Sequence, residues 1–394
     1  MEPLIQDPMS VAGFLAALVA GIFWLSGRPS LEKLFEYTPP VIYVYFLPMI
    51  FTTVGVIPSD SPTYAWLSRY LLPFALFLLM VSVDLKSVAK LGRMALIMVV
   101  AGTVGIVLGG PLALLLFKGA LGPDAWKGFA ALSGSWIGGT ANMLAIAESV
   151  GTPDAEMGPV IVVDTVVGYG WMGILLALSA FQKRFDRATG ARTDALDATN
   201  ALLQEMDAHR HPTTLRDMAM MVGLGFAASV LSLNLGGMLP ALGDPTIISP
   251  TTWAVLIVVT VGLVLSFTRL RDLEEVGASG VGYTALYLLL AGIGARADLN
   301  AVLDAPVYLL AGMVWLAVHI AILFITARII RAPLFFVATG SMANVGGAAS
   351  APVVAGVYHP AMAPVGLLMA VVGYVLGIYG ALGAAWLLGL VGAA

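Results

Sequence analysis

The chain has 394 residues, 59% of them hydrophobic and 11% charged, with a mean hydropathy of +0.94. A soluble globular chain carries about 25% charged residues, so this composition excludes a string of water-soluble domains and describes an integral membrane protein whose first partner is the lipid bilayer. The net charge of -4 is dispersed, with Lys and Arg mostly between apolar runs, which leaves no nucleic-acid-binding surface; Cys is absent, which removes disulfides, thiolate metal sites and Cys nucleophiles.

Residues 1–10 contain acids and no Lys or Arg, the wrong start for a cleaved signal peptide, so the first apolar run is expected to remain in the mature protein. Runs near the ~20-residue spanning length follow at 11–26, 39–57, 66–82, 94–117, 126–147 and 158–181. After the polar, charged segment 182–215, weakly amphipathic around Ala195 to Met206, a second set occupies 216–233, 251–268, 281–295, 305–328, 333–357 and 361–391. Four landmarks recur in the same order about two hundred residues apart. Leu76-Phe77-Leu78-Leu79 is echoed by Leu286-Tyr287-Leu288-Leu289, and Gly134-Ser135 with Gly138-Gly139 by Gly340-Ser341 with Gly346-Gly347. Val150 to Pro153 answers Val357 to Pro360, and Val166-Val167-Gly168-Tyr169 answers Val371-Val372-Gly373-Tyr374. The chain therefore reads as a duplication: a first repeat at 11–181, a linker at 182–215 and a second repeat at 216–391.

Lys and Arg mark cytoplasmic loops. The linker, with Lys183, Arg184, Arg187, Arg192, Arg210 and Arg216, is expected on that side, as are Arg269 and Arg271. Arg28, Lys33, Lys86, Lys90 and Arg93 join them only if 126–147 enters and leaves by one face. Gly138-Gly139 in its middle suits such a re-entrant hairpin, since backbone turns inside a bilayer only where it is buried in protein or lines a water-filled cavity. The same logic applies to 333–357, with its tip at Gly346-Gly347. The expected fold is thus all-α and polytopic, each half five spans plus one hairpin, the halves inverted as in many secondary transporters. A fully crossing broken helix is the competing arrangement.

Asp164 is an acid in the uncharged run Val160 to Val167, and an ionisable group there costs a few kcal/mol unless compensated. The functional reading is a sodium or proton site, with Thr165 adding a hydroxyl; the plain one is a hydrogen-bonded helix contact. With the helix starting near 158, Asp164 would lie about six residues in, roughly 9 Å from its end. The hairpins add Ser135, Thr140 and Asn142, then Ser341, Asn344 and Ser350, whose oxygens, with carbonyls freed at Gly138, Gly139, Gly346 and Gly347, suit an alkali cation. Asp164, Asn142 and Asn344 are the expected sodium ligands. His319 is a candidate proton relay, although a neutral His bonding across helices is the simpler account. Glu148 and Glu156 are expected in solvent, Arg296 and Asp298 in a structural pairing, and Gly109-Gly110-Pro111 at a kink.

Catalysis finds little support. Gly277-Ala278-Ser279-Gly280 with His319 faintly resembles rhomboid proteases, an aspartyl protease needs a second buried Asp, and no His-Glu-x-x-His occurs. A membrane-embedded sensor or scaffold is the remaining alternative.

With Gly134 to Asn142, Gly340 to Gly347 and Val163 to Val167 in view, the chain resembles the YjcL-like membrane protein family of unknown function (domain of unknown function 819) over about residues 11–391. That family is grouped with the cation/proton antiporter and anion transporter superfamily, which includes sodium-dependent glutamate, citrate and bile-acid carriers. The resemblance implies a scaffold or dimerisation domain, hence a homodimer, and a core carrying both hairpins that moves as an elevator. The expected protein is a multi-pass inner (plasma) membrane transporter, coupled to sodium or protons and without another cofactor. It would carry a small organic anion or exchange a cation for protons.

Overall fold

A computed structural model describes residues 3–38, 40–85, 91–191, 211–242, 248–296, 305–359 and 362–393. The expected positions Lys86, Lys90, Arg192, Arg210 and Asp298, and the amphipathic stretch around Ala195 to Met206, lie outside them. Among the described residues the structure is helical throughout, apart from one isolated bridge between Leu242 and Ile248. Eight helices among the described residues are long and apolar enough to cross a membrane, and a ninth if a bent pair counts as one span.

The first half contains α1 (Pro8–Ser26), α2 (Pro40–Thr53), α3 (Pro62–Val81, with a π turn at Leu67–Leu71), α4 (Arg93–Phe117), α5 (Ala125–Gly138), α6 (Thr140–Val150) and α7 (Asp154–Leu178). The short α8 (Gln182–Thr189) follows. Then come α9 (Leu215–Gly237), α10 (Pro250–Leu265), α11 (Ala278–Arg296), α12 (Ala305–Ile330), α13 (Leu334–Val345), α14 (Gly347–Tyr358) and α15 (Ala363–Ala393). Local chemistry sets many boundaries. The Asp7 carboxylate accepts the Ser10 N–H at 2.8 Å ahead of Pro8, and Thr214 with Asp217 and Ser249 with Thr252 form capping boxes that start α9 and α10.

Several boundaries differ from expectation. Segment 39–57 yields a helix of 14 residues, short of a span, because Gly55 takes a positive φ and turns the chain. Segment 251–268 bends by 95° into a charged 3-10 turn, Arg269–Val276, which cannot continue into lipid. Gly109-Gly110-Pro111 lies within the long α4, as expected, and the glycine pair seats the indole of Trp315, leaving no room for a Cβ.

Polar contacts sort the helix ends into two sets. At one end Arg296 pairs with Asp154 at 3.2 Å, Thr52 bonds the Ala295 carbonyl, Thr63 bonds that of Pro8, and Ser249 bonds that of Ser149. At the other end Arg271 pairs with Asp84 at 2.8 Å, Thr213 bonds the Val276 carbonyl, and Gln182 bonds His359. The Asp84–Arg271 pair puts the turn after α3 at the end where α9 begins. α1 starts at the first end and α9 at the second.

The helices also form two groups. α1, α2, α3, α9, α10 and α11 pack together, and α4 to α7 pack with α12 to α15. Contacts between the groups are sparse, made mainly by α6 against α3 and α10 and by α7 against α11.

Candidate functional site

The helices α5 and α6 have 14 and 11 residues, roughly 21 and 17 Å of rise, so neither crosses a ~30 Å hydrocarbon core. They fold back on one another. Thr152 Oγ1 donates to the Lys127 carbonyl at 3.1 Å, closing the base of the hairpin, and Gly139 makes its tip with φ +79. A side chain at that φ would be strained, which explains the glycine. α13 and α14, 12 residues each, form the second hairpin from the opposite end. Its base closes where the Phe335 ring stands 5.6 Å from the His359 ring, and Gly347 at φ +62 turns its tip.

The two tips meet. A Cβ on Gly347 would lie 4.0 Å from Gly139 Cα, and both glycines face the ring of Tyr374. The Tyr374 hydroxyl accepts the Ala348 N–H at 3.3 Å and bonds Tyr283 Oη at 2.9 Å, so it joins the second tip to α11 of the other group. α15 reaches this point because Gly373 slides between the hairpins; a Cβ there would stand 2.5 Å from the Ile137 carbonyl oxygen and 3.1 Å from that of Ala343. A narrow cleft between the groups is lined by Leu79, Met80, Thr140, Asn142, Tyr283 and Tyr374.

Asp164 lies one helical turn from the first tip, where Ser135 Oγ donates to its Oδ1 at 2.9 Å. α7 begins at Asp154, not near 158, so Asp164 is ten residues in, roughly 15 Å from the helix end and close to the middle of a 25-residue helix. Thr165 is half-buried beside it. Tyr169, one turn further along α7 and 37% exposed, has Asp164, Ser350 and Tyr287 as polar neighbours.

The two asparagines differ. Asn344 is fully occupied: its oxygen accepts the Thr103 hydroxyl at 2.9 Å, and its amide donates to the carbonyls of Val99 and Gly340 at 3.1 and 2.9 Å. Asn142 donates weakly to the Tyr374 carbonyl at 3.4 Å, while its buried Oδ1 has no partner. Of the pair, Asn142 has the oxygen open to a ligand. Ser341, the counterpart of Ser135, accepts the Trp171 indole N–H at 2.8 Å and bonds His319 Nε2 at 2.9 Å. His319 Nδ1 faces the Gly102 carbonyl at 2.9 Å; a carbonyl only accepts, so Nδ1 carries the proton and Ser341 donates to Nε2. Every group in this chain is satisfied by a neutral imidazole, the pattern of a helix clamp.

Other expectations resolve plainly. Glu156 is bonded by the Tyr308 hydroxyl rather than left to solvent. Arg296 is paired, with Asp154. Ser279 bonds Glu274 while His319 bonds Ser341 and Gly102, so the rhomboid-like Ser and His engage different partners. The residues that sequence reasoning overlooked are Tyr374, Tyr169 and Tyr283. Two of them carried a signal, since Tyr169 and Tyr374 end the duplicated Val-Val-Gly-Tyr; Tyr283 had none.

Fold and site together define an all-helical, multi-pass membrane protein with two short helical hairpins meeting tip to tip. The profile of a family described as "Protein of unknown function (DUF819)" matches residues 13–390, and the chain belongs to that family. A relative from Bacillus subtilis (strain 168), described as "Uncharacterized membrane protein YjcL", is 27% identical over 386 residues, which cover 95% of each chain.

Proposed function

We propose that this protein is a secondary active transporter of the inner (plasma) membrane, coupled to sodium or protons, in which Asp164 is the coupling carboxylate. The observation that carries the reading is the meeting of the two hairpin tips at Gly139 and Gly347 one turn from Asp164, at the boundary between two sparsely connected helix groups. Irregular backbone at mid-membrane depth is tolerated where it lines a binding cavity, and half-helix termini pointing at a midplane site are the usual construction of carriers. The opposite starting ends of α1 and α9 support an inverted duplication, with repeats at 11–181 and 216–391 joined by the linker 182–215. The group holding both hairpins is the natural moving body of an elevator, and the other, presenting α1 and α9 outward, the natural scaffold and homodimer face. No catalytic role is assigned.

Asp164 has Ser135 for a partner and no Lys or Arg on its helix, so its charge is compensated by something that comes and goes. Asn142 Oδ1 supplies a second oxygen, and Thr140 and Ser350 lie close to the tips. The absence of Lys and Arg from α6, α7, α13 and α14 favours cation exchange over an organic-anion cargo. In the test, thermal stability and proteoliposome uptake are measured against sodium and pH for the parent and for Asp164→Asn. The parent is expected to respond to one of the two ions, since a ligand that binds the native state raises apparent stability, and a well-folded Asn variant to lose the response. A parent without any sodium or pH response removes the transporter reading in favour of a membrane-embedded sensor or scaffold.

A further inference from the structure

The polar atoms around the two tips are unequal in kind. Acceptors remain open or charged: the Asp164 carboxylate and the buried, unpartnered Asn142 Oδ1, on a residue only 1% exposed. Two donors there are spent, and the buried Trp136 N–H lies toward Asp164. The Ala348 N–H, at the start of α14 where an anion would dock, already binds the Tyr374 hydroxyl, and the Ser135 hydroxyl is spent on Asp164. No Lys or Arg occurs on α6, α7, α13, α14 or α15, or on α5 beyond Lys127. Beside these acceptors stand tyrosines from three helices: Tyr169 on α7, Tyr374 on α15, and Tyr283 with Tyr287 on α11. A strongly hydrated alkali ion is held chiefly by oxygen atoms that replace its water shell. An alkylated ammonium uses oxygens and ring faces, through its charge and through cation–π attraction.

We infer that the species recognised between the hairpin tips is a small organic cation bearing an ammonium group, paired with Asp164 and covered by the tyrosines. The inference rests on the transporter reading and names its cargo. Tyr169, on the same helix as the carboxylate, is the most accessible cage wall. Tyr374 holds the second tip and Tyr283 the opposite helix group, so ligand entry would couple to the hydroxyl pair that joins the groups.

The experiment uses the full chain purified in detergent, with melting temperature read against choline chloride and ethylammonium chloride, sodium chloride at equal ionic strength, and the sodium salts of acetate and citrate. The ammonium salts are expected to raise the melting temperature saturably above the sodium chloride control, and the carboxylates are not. Asp164→Asn is expected to weaken the ammonium response at least tenfold. Tyr169→Phe keeps the ring and should stay within about threefold, whereas Tyr169→Leu should lose about 3- to 30-fold, the range that cation–π contacts supply. A carboxylate or sodium response without any ammonium response overturns this inference and leaves the transporter reading standing. An ammonium response undiminished in a folded Asp164→Asn variant also overturns it. Silence toward every salt and toward pH overturns both.

Discussion

At the scale of single residues, hydrogen-bond saturation separates groups that hold the structure from groups free to act. Asn344 and His319 are saturated, so Asn344→Ala and His319→Phe should each destabilise the protein by about 1–3 kcal/mol, because buried partners lose their bonds. Their ion response, measured by stability against sodium and pH in the surviving folded fraction, should persist. Asn142→Ala removes an unpartnered oxygen, so it should reduce the ion response while stability changes less than in Asn344→Ala, with both read in the same thermal assay. Loss of pH response in a folded His319→Phe would instead restore the proton-relay reading. The sequence shows why both asparagines draw attention, each a few residues from a Gly-Gly. It does not show that Thr103, on a helix 241 positions away in the chain, answers only one of them.

At the scale of elements, the hairpins were legible as short apolar arms around Gly-Gly, and arm length against bilayer thickness explains why. Their closed bases yield a labelling prediction that the absence of native Cys makes clean. Single cysteines at Ala120 and Ala155 should react with a membrane-impermeant maleimide from one face, and those at Arg331 and Val357 from the other; opposite faces within either pair would convert that hairpin into a crossing. The crossing of α15 between the hairpins is equally specific. Gly373→Ala would push a methyl into two carbonyl oxygens, with an overpacking cost of about 1–3 kcal/mol readable as a lower melting temperature. Helix starts were less legible. The apolar run suggested that α7 opens near 158, but the four residues after Pro153 are already helical, which moves Asp164 roughly 6 Å deeper than expected.

At the scale of the whole molecule, two helix groups touch through few packed surfaces and several polar links: Tyr283 with Tyr374, Thr260 with Tyr379 at 2.8 Å, and Arg296 with Asp154. Such links are weak enough to exchange. The Arg296–Asp154 side chains are 29% and 33% exposed, so losing the pair should cost about 1 kcal/mol or less. Because it bridges the groups, its loss should act on the balance between their arrangements. The prediction is that Arg296→Ala leaves the melting temperature nearly unchanged but alters uptake rate and the maleimide reactivity of a cysteine at Tyr169. Unchanged rate and reactivity would mean that the groups do not move against each other.

The sequence by itself determined that this is a membrane protein, where most of its apolar helices lie and where two hairpins turn. These follow from hydropathy, spacing and glycine, which act locally and are written in consecutive residues. Only the tertiary structure decided which polar groups are spent and which remain open, that Tyr374 links one tip to the other helix group, and that Ser341 serves a histidine clamp while its counterpart Ser135 serves a carboxylate. Those outcomes depend on contacts between residues far apart in the chain, and in so apolar a sequence many helices offer the same face. Packing at Gly373 and the few buried hydrogen bonds select among them.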